Sequence, residues 1–272
     1  MDKVELSIII VNYKSFDFAC DAISDIKKHL AALKYEIIIV DNDPKTDDDK
    51  KFSSRYKNDN SIKIIKNSVN AGFGAGNNLG AKSASGEYLL LLNPDTKIVD
   101  NSVEKMIEFL SKHSEVGALS PLIYQADGKS LQKHFFADFQ NLAGMTIKRW
   151  QGKQADLSVE FFYVEMITAA AMLLKRELFE KVSGFDEKFF MYNEDDDLCR
   201  RISKLGFKNA VLVTAKIIHI EGQSSTTPEK KKYYYESQDY YWQKHYGRFK
   251  TGLMKIIRAP YIVLQKIRHS SF

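Results

Sequence analysis

Cysteine is nearly missing from this chain: 272 residues hold two, Cys20 and Cys199. Both fall in segments with a helical pattern and neither belongs to a Cys-x-x-Cys pair, which excludes a disulfide framework or a thiolate zinc site and fits a reducing cytoplasm. Long apolar runs are missing too. No stretch approaches the ~20 residues that a membrane-spanning helix needs. The first five residues, Met1 to Glu5, carry acids where a signal peptide carries bases, so export by that route is not expected. No internal repeat or low-complexity tract interrupts the chain. Net charge is only +5, an excess that suits nucleotide diphosphates or an anionic membrane and gives no reason to expect a nucleic-acid partner. With 44% apolar residues, the chain is able to bury a substantial core.

What is present begins with two β-branched runs, Leu6 to Val11 and Glu36 to Val40, joined by a helical pattern from about Phe16 to Leu33. Strands without polar alternation are covered on both faces, as in a parallel sheet between helices, so the opening unit reads βαβ. Both runs end in polar residues, Asn12-Tyr13 and Asp41-Asn42. Ligands of open α/β sheets bind beyond the carboxyl ends of strands, which places Asn12 and Asp41 in one crevice. The next segment, Pro44 to Asn60, reads as a charged loop with Asp47, Asp48 and Asp49 in solvent. A third strand, Ile62 to Lys66, leads to the glycine-rich stretch Asn70 to Gly80, which opens a helix and would let a diphosphate or ribose approach backbone N–H groups. It does not follow the dinucleotide fingerprint, because a polar loop intervenes and that signature belongs at the first strand.

A fourth strand, Glu87 to Leu92, runs into Asn93-Pro94-Asp95-Thr96. Asp95 either holds a hard cation against phosphate oxygens or belongs to a turn that merely caps the helix from Asn101 to Lys112. A fifth strand follows near Val116 to Tyr124. From Gln125 to Glu160 the pattern is lost, with scattered aromatics (Phe135, Phe136, Phe139, Trp150), and the stretch reads as a functional insertion over the site. Order returns in Phe161 to Leu174, a helix from about Arg176 to Lys181 follows, and the chain arrives at Gly184 to Arg201. That block sets six carboxylates, at 186, 187 and 194 to 197, around Phe189, Phe190, Met191 and Tyr192. Either it is a well-capped surface helix from Asp195 to Leu205, or its carboxylates are desolvated by the aromatic surface, more basic, and available as a general base.

After a strand at Ala210 to Val213, His219 stands alone in an apolar segment before Gly222, Ser224 and Ser225, as a hydrogen-bonded core residue or as a ligand. The tail combines a tyrosine-rich helix ended by Gly247 with a basic amphipathic helix. On a helical wheel Lys255, Arg258, Gln265, Lys266 and His269 oppose Met254, Ile256, Ile257, Tyr261, Leu264 and Ile267, and Pro260 is expected to kink the helix. It reads as an interfacial membrane anchor, or as packing against the domain or a second subunit of a homodimer.

Val11-Asn12-Tyr13, Val40-Asp41-Asn42, Asn70 to Gly80, Asn93 to Thr96, Gly184 to Arg200 and His219 to Ser224 occur in the order and spacing of family 2 glycosyltransferases. Within that family the chain most resembles the bacterial rhamnosyltransferase-type branch, over about residues 6 to 225. The resemblance implies an α/β GT-A fold, a Rossmann-like mixed sheet flanked by helices, with a C-terminal helical extension. The GT-A domain would span residues 1–225, including an acceptor-side insertion at 125–160, and the helical tail 226–272. A nucleotide-sugar donor, Mg²⁺ or Mn²⁺, and inversion at the anomeric carbon are implied as well. By position, Val11, Asn12, Asp41, Gly72, Asn77, Asn93, Asp95 and Glu194 would bind the donor, Asp41 through its pyrimidine. Asp95 and His219 would hold the metal, and Asp195 would be the catalytic base. Asn93 stands where the family's DxD motif has its first Asp. Asp197 and Arg200 would orient the helix and its neighbours. The Gln-x-x-Arg-Trp motif that processive synthases carry after the base is missing, which favours addition of a single sugar.

Displacing a nucleoside diphosphate from a sugar requires charge neutralised on the leaving phosphates and an acceptor hydroxyl deprotonated as it attacks from the opposite face. The expectation is therefore an inverting, metal-dependent transferase that moves L-rhamnose from dTDP-L-rhamnose to a glycan or polyprenyl-linked acceptor of a bacterial surface polysaccharide. Its expected place is the cytoplasm, at the inner face of the cell membrane. A UDP-hexose (glucose, galactose or GlcNAc) transferase is the nearest alternative. From another class, the alternative is a nucleotide-sugar-binding scaffold whose transferase site has decayed.

Overall fold

A strand buried on both faces needs a helix layer on each side. In the computed structural model, which describes residues 4–142, 154–220 and 228–269, the chain meets that need with eleven strands and seven helices. They are β1 (Leu6–Asn12), α1 (Phe16–His29), β2 (Tyr35–Asp41), α2 (Asp48–Arg55), β3 (Ile62–Lys66), α3 (Phe73–Lys82), β4 (Tyr88–Leu92), β5 (Thr96–Ile98), α4 (Ser102–Lys112), β6 (Val116–Tyr124), β7 (Phe136–Ala137), β8 (Phe161–Val164), β9 (Met166–Ile167), β10 (Ala171–Lys175), α5 (Arg176–Lys181), α6 (Glu194–Lys204), β11 (Lys208–His219) and α7 (Pro228–His269). The main sheet runs β3-β2-β1-β4-β10-β6-β11-β5, with β8 also paired to β11. β1 lies parallel to β2 and β4, and β2 parallel to β3. β10 enters antiparallel between β4 and β6, which makes the sheet mixed. β7 and β9 form a separate ribbon.

Successive side chains of a strand point to opposite faces, and here both faces are apolar. Ile8, Ile10, Leu90 and Leu92 share one core with α1, α4 and Phe52 of α2, while Ile9, Leu89 and Leu91 share the other with Leu178 and Phe179 of α5 and Leu198 and Ile202 of α6. Both cysteines are free thiols inside these cores. No described helix is long and apolar enough to cross a membrane.

Three expectations change. The segment read as a charged loop contains α2, and Asp48, expected in solvent, is buried beside Phe52. One ring, tilted against Phe16 with centroids 4.5 Å apart, fixes this helix, and one apolar residue in eight gives a sequence no periodicity to display. The stretch from 125 onward, read as patternless, buries Phe135 and Phe136 and contributes β7, although Trp150 lies outside the described residues, as do Gly222, Ser224 and Ser225. In α7 the break falls at Gly247, with φ of 80°, as expected, whereas Pro260 is carried inside the helix. The two wheel faces of that helix also rotate: Met254 and Arg258 turn inward together, and Ile256 turns out.

At the amino ends of the strands one buried carboxylate ties three elements. Glu36 Oε1 accepts from the hydroxyls of Ser7 and Ser85 and from the Ser85 N–H, at 2.6 to 2.7 Å, and Lys63 stands 2.6 Å from Oε2. Burial alone would raise its pKa, but Lys63, Ser7 and Ser85 together outweigh burial and pull it down to about 2. A depressed carboxylate stabilises the fold above its unfolded value and loses that contribution as pH falls through the folded one. Glu36→Gln is expected to cost about 2–3 kcal/mol at pH 7 by chemical denaturation, with the deficit vanishing as the pH is lowered from 4 towards 2. An unchanged midpoint at pH 7 would show that the lysine and serines contribute nothing net.

Candidate active site

The site assembles at the carboxyl ends of the strands, as the sheet rule requires. Asn12 and Asp41 are register partners at the ends of β1 and β2. The Asn12 amide donates to Asp41 Oδ1 at 3.1 Å and to Asp48 Oδ2 at 3.2 Å, so Asp48 joins a pair that the sequence had already placed together. Asp41 is fully buried, its Oδ2 accepts from the Asp49 N–H at 3.0 Å, and burial pushes its pKa up. Its neighbour Asp43 is buried with Oδ2 left without a hydrogen bond, a carboxylate oxygen free to take a donor.

The glycine-rich stretch is stapled to this corner by Asn42. Its Nδ2 donates to Asn70 Oδ1 at 3.0 Å and to the Gly72 carbonyl at 3.1 Å, and its Oδ1 accepts from Asn67 at 2.9 Å. Gly72 sits at φ of 92° and a Cβ there would meet the Phe190 carbonyl oxygen at 2.1 Å, so only glycine fits. Val11 packs against Gly76, bringing α3 close to β1. Asn77 is turned onto its own helix, donating to the Phe73 carbonyl, and is buried. Asn78, which the sequence did not single out, instead grips the acidic block: it donates to the Phe185 carbonyl at 2.9 Å and to Glu187 at 3.0 Å, and accepts from the Phe185 N–H at 2.8 Å.

Asn93, Asp95 and His219 converge. β11 is antiparallel to β5, with His219 opposite Thr96, which brings His219 Nε2 to 3.1 Å from Asp95 Oδ1 and 3.3 Å from Asn93 Nδ2. Gln132, in the stretch whose chemistry the sequence hid, places Oε1 2.9 Å from His219 Nδ1 and so fixes the ring with Nε2 facing Asp95. Among the described residues no group of three or more His, Cys, Asp and Glu is placed to hold a metal. A carboxylate and one imidazole nitrogen fit a different kind of site, in which a hard cation keeps waters and takes its remaining ligands from substrate phosphates.

The acidic block meets that corner through residues 168–170. The Ala170 carbonyl accepts from the Asn93 N–H at 2.9 Å, while the Ala169 N–H and the Thr168 hydroxyl support Asp195. Two consecutive left-handed residues, Tyr192 (φ 72°) and Asn193 (φ 61°), turn the chain into α6, whose first turn is Glu194 to Asp197. Glu194 is buried with Oε2 unpartnered, and burial, then the charge of Asp195, push its pKa well up. Asp195 is partly exposed, and burial raises it too. The pair shares the penalty of two adjacent desolvated charges, so one of them is held ready to take a proton.

Behind the block lies α7. Asp197, fully buried, accepts from Arg201 at 2.8 Å, from His245 at 2.8 Å and from Lys244 at 2.7 Å; against burial, His245, Arg201 and Lys244 hold its pKa at about 2. Gln140 joins the insertion to both helices. Its amide nitrogen donates to Asn193 and to Asp196 Oδ2 (3.1 Å), its Oε1 accepts from Trp242 (3.0 Å) and Gln238 (3.2 Å), and its carbonyl accepts from Tyr246. Arg200 lies 4.5 Å over the Tyr246 ring and 5.2 Å over Phe139. A glutamine among polar residues carries no sequence signal for such a junction.

Comparison with known proteins gives the family and the fold. The family described as glycosyl transferase family 2 matches residues 7–183. The chain belongs to that family. A second family, described as the N-terminal domain of galactosyltransferase, matches residues 152–223, which include the Glu194-Asp195 block and His219. This family 2 chain is 30% identical over 154 residues to the O-antigen biosynthesis protein RfbC of Myxococcus xanthus, covering 54% of the chain and 12% of that protein. It is 24% identical over 210 residues to N-acetylglucosaminyl-diphospho-decaprenol L-rhamnosyltransferase of Mycobacterium tuberculosis, covering 70% of the chain and 67% of that protein. Among solved structures, GalNAc-T7 with UDP, GalNAc and Mn²⁺ superposes with a TM-score of 0.65 at 16% identity, over 94% of this chain and 55% of that one. The fold is GT-A, with a C-terminal helix added, and within the family the chain is rhamnosyltransferase-like.

Two outcomes follow for the block. Glu194→Gln removes a carboxylate that is costly to ionise, so its unfolding midpoint at pH 7 is expected above that of the parent; the gap should open as pH rises past the ordinary glutamate value of about 4.3. A lower midpoint would mean that the Glu194 charge is compensated. Gln140→Ala strands Asn193 and Trp242 and is expected to cost about 1–3 kcal/mol in denaturant titration.

Proposed function

We propose that this chain is an inverting glycosyltransferase that moves one sugar from a nucleoside-diphosphate sugar to a hydroxyl acceptor, with dTDP-L-rhamnose as donor and a glycan or polyprenyl-linked glycan as acceptor. The observation that carries it is the placement, on either side of the three residues 168–170, of two acidic centres with different surroundings. One is Asp95 with His219, and the other is the desolvated pair Glu194-Asp195. The choice of rhamnose is supported by the mycobacterial relative, an L-rhamnosyltransferase by name.

In this reading Asn12, Asp41, Asp48 and Asp43 form the floor of the base and ribose end, and Gly72, whose missing Cβ makes room for the Phe190 carbonyl, holds the glycine-rich turn beside them. Asp95 and His219 would hold Mg²⁺ or Mn²⁺, with Asn93 beside them. A bound divalent cation supplies Lewis-acid neutralisation of the departing diphosphate. Asp195 takes the proton of the acceptor hydroxyl as its oxygen forms the new bond to the anomeric carbon, while the bond from that carbon to the diphosphate oxygen breaks. One displacement inverts the configuration. Glu194, buried against Asp195, raises the basicity of the pair. The cation is proposed to be bound jointly with the nucleotide, because the described residues offer two ligands there.

Asp195→Asn is expected to lower kcat by about 10²–10⁴-fold while leaving thermal stabilisation by the donor intact. For the parent, kcat/KM should fall on the acid side through a carboxylate limb lying above the ordinary aspartate value of about 3.9, because protonation removes the base. A variant with parental kcat would overturn the assignment of the base. Thermal shifts with dTDP-, UDP- and GDP-sugars, each with Mn²⁺ or EDTA, identify the donor. A shift confined to UDP-sugars would replace rhamnose and keep the mechanism, and no shift with any would favour the decayed scaffold.

A further inference from the structure

Beyond Gly247 the rotation of α7 is fixed from the inside. Thr251 and Met254 are buried, and the Arg258 side chain, 10% exposed, donates to Asp239 Oδ1 and Gln238 Oε1, both at 2.7 Å, and lies 4.8 Å over the ring of Tyr235. Lys255 closes the same edge at 2.7 Å from Asp239. A helix turns about 100° per residue, so Phe249, Leu253, Ile256 and Pro260 must then face the opposite way. They do: Phe249 is 80% exposed and Ile256 70%, with Leu253, Ile257 and Pro260 exposed beside them. Apolar residues scattered singly over a surface are ordinary, but four at helical spacing on one outward face are not.

The charges around the stripe say what covers it. No Asp or Glu follows Asp239, whereas Lys244, Arg248, Lys250, Lys255, Arg258, Lys266 and Arg268 do. Arg248 and Lys250 are exposed on the flanks. A second copy using the same stripe would meet it in an isologous contact and bring these like charges together. An anionic bilayer has the opposite charge and an apolar layer at the depth such a helix reaches.

We propose that residues 248–260 lie in the plane of an anionic membrane, with Phe249, Leu253, Ile256 and Ile257 in the boundary between headgroups and acyl chains and Arg248 and Lys250 on lipid phosphates. The proposal does not depend on which sugar is moved, or on whether any is. It adds that the docking helix, across the break at Gly247, is bound back through Arg258 and Lys255 to Gln238 and Asp239 of the segment whose Lys244 and His245 hold Asp197, so the acidic block is tied to the helix that meets the lipid.

The test is co-sedimentation of the full chain with phosphatidylcholine vesicles, with and without phosphatidylglycerol. Binding is expected with phosphatidylglycerol and to weaken with salt. The double variant Phe249→Ser/Ile256→Ser should lose about tenfold or more in affinity, and each of Arg248→Glu and Lys250→Glu about fivefold or more. All four side chains are exposed, so unfolding midpoints should stay at the parental value, which keeps lost binding distinct from lost fold. Equal binding to both kinds of vesicle, or parental binding by the double variant, overturns the proposal. So does a parental dimer that the double variant dissolves in sedimentation velocity without any vesicle binding.

Discussion

A carboxylate with no exposed surface has to be compensated where it sits, and Asp197 is compensated by two cations, Arg201 and Lys244, and by the imidazole of His245, drawn from two helices. Arg201 comes from its own helix, one turn on; Lys244 and His245 come from α7. Removing one partner of such a group typically costs 3–5 kcal/mol, because the remaining charge is left buried. The consequence reaches well beyond the pair. α7 is thereby fixed against the back of α6, and the turn at Tyr192 and Asn193, both left-handed, is clamped from behind. Lys244 extends the hold to Asp186 at 2.7 Å, where Tyr240 also donates at 2.8 Å.

The same logic explains why opposite pKa directions occur within one turn of helix. Asp197 is surrounded by positive charge and stays ionised. Glu194 and Asp195, three and two residues earlier, see burial and each other, and are pushed towards the protonated form. Carboxylates one turn apart are thus held ionised or pushed towards protonation by their surroundings alone. The helix start tolerates this acidity because its exposed N–H groups favour negative charge.

Much of this architecture was legible in the chain. Unalternating runs such as Leu6 to Val11 can only be central strands, and their polar ends mark the crevice, so Asn12 beside Asp41 needed no coordinates. The Asn93 to Asp95 turn and His219 were recognisable one by one. Their meeting was not, because it depends on β11 folding back antiparallel to a three-residue strand, β5, too short to carry a period. Asp48 was misplaced in solvent because a helix held by one phenylalanine shows no amphipathic pattern. Gln132 and Gln140 were invisible for a plainer reason: an amide acts through whatever surrounds it, and its surroundings are 50 to 100 residues away.

The sequence by itself determined the layered α/β class, the glycine-rich turn and the residues rich in negative charge, since hydrophobic period, backbone freedom and charge are properties of neighbouring residues. Tertiary structure alone decided which carboxylate is held ionised and which are pushed towards the protonated form, because that depends on partners supplied by distant elements and on water excluded by both. It also decided which side of the last helix faces outward. A wheel gives the angle between side chains, but Arg258 bound to Asp239, with Met254 packed beneath, sets where that angle begins.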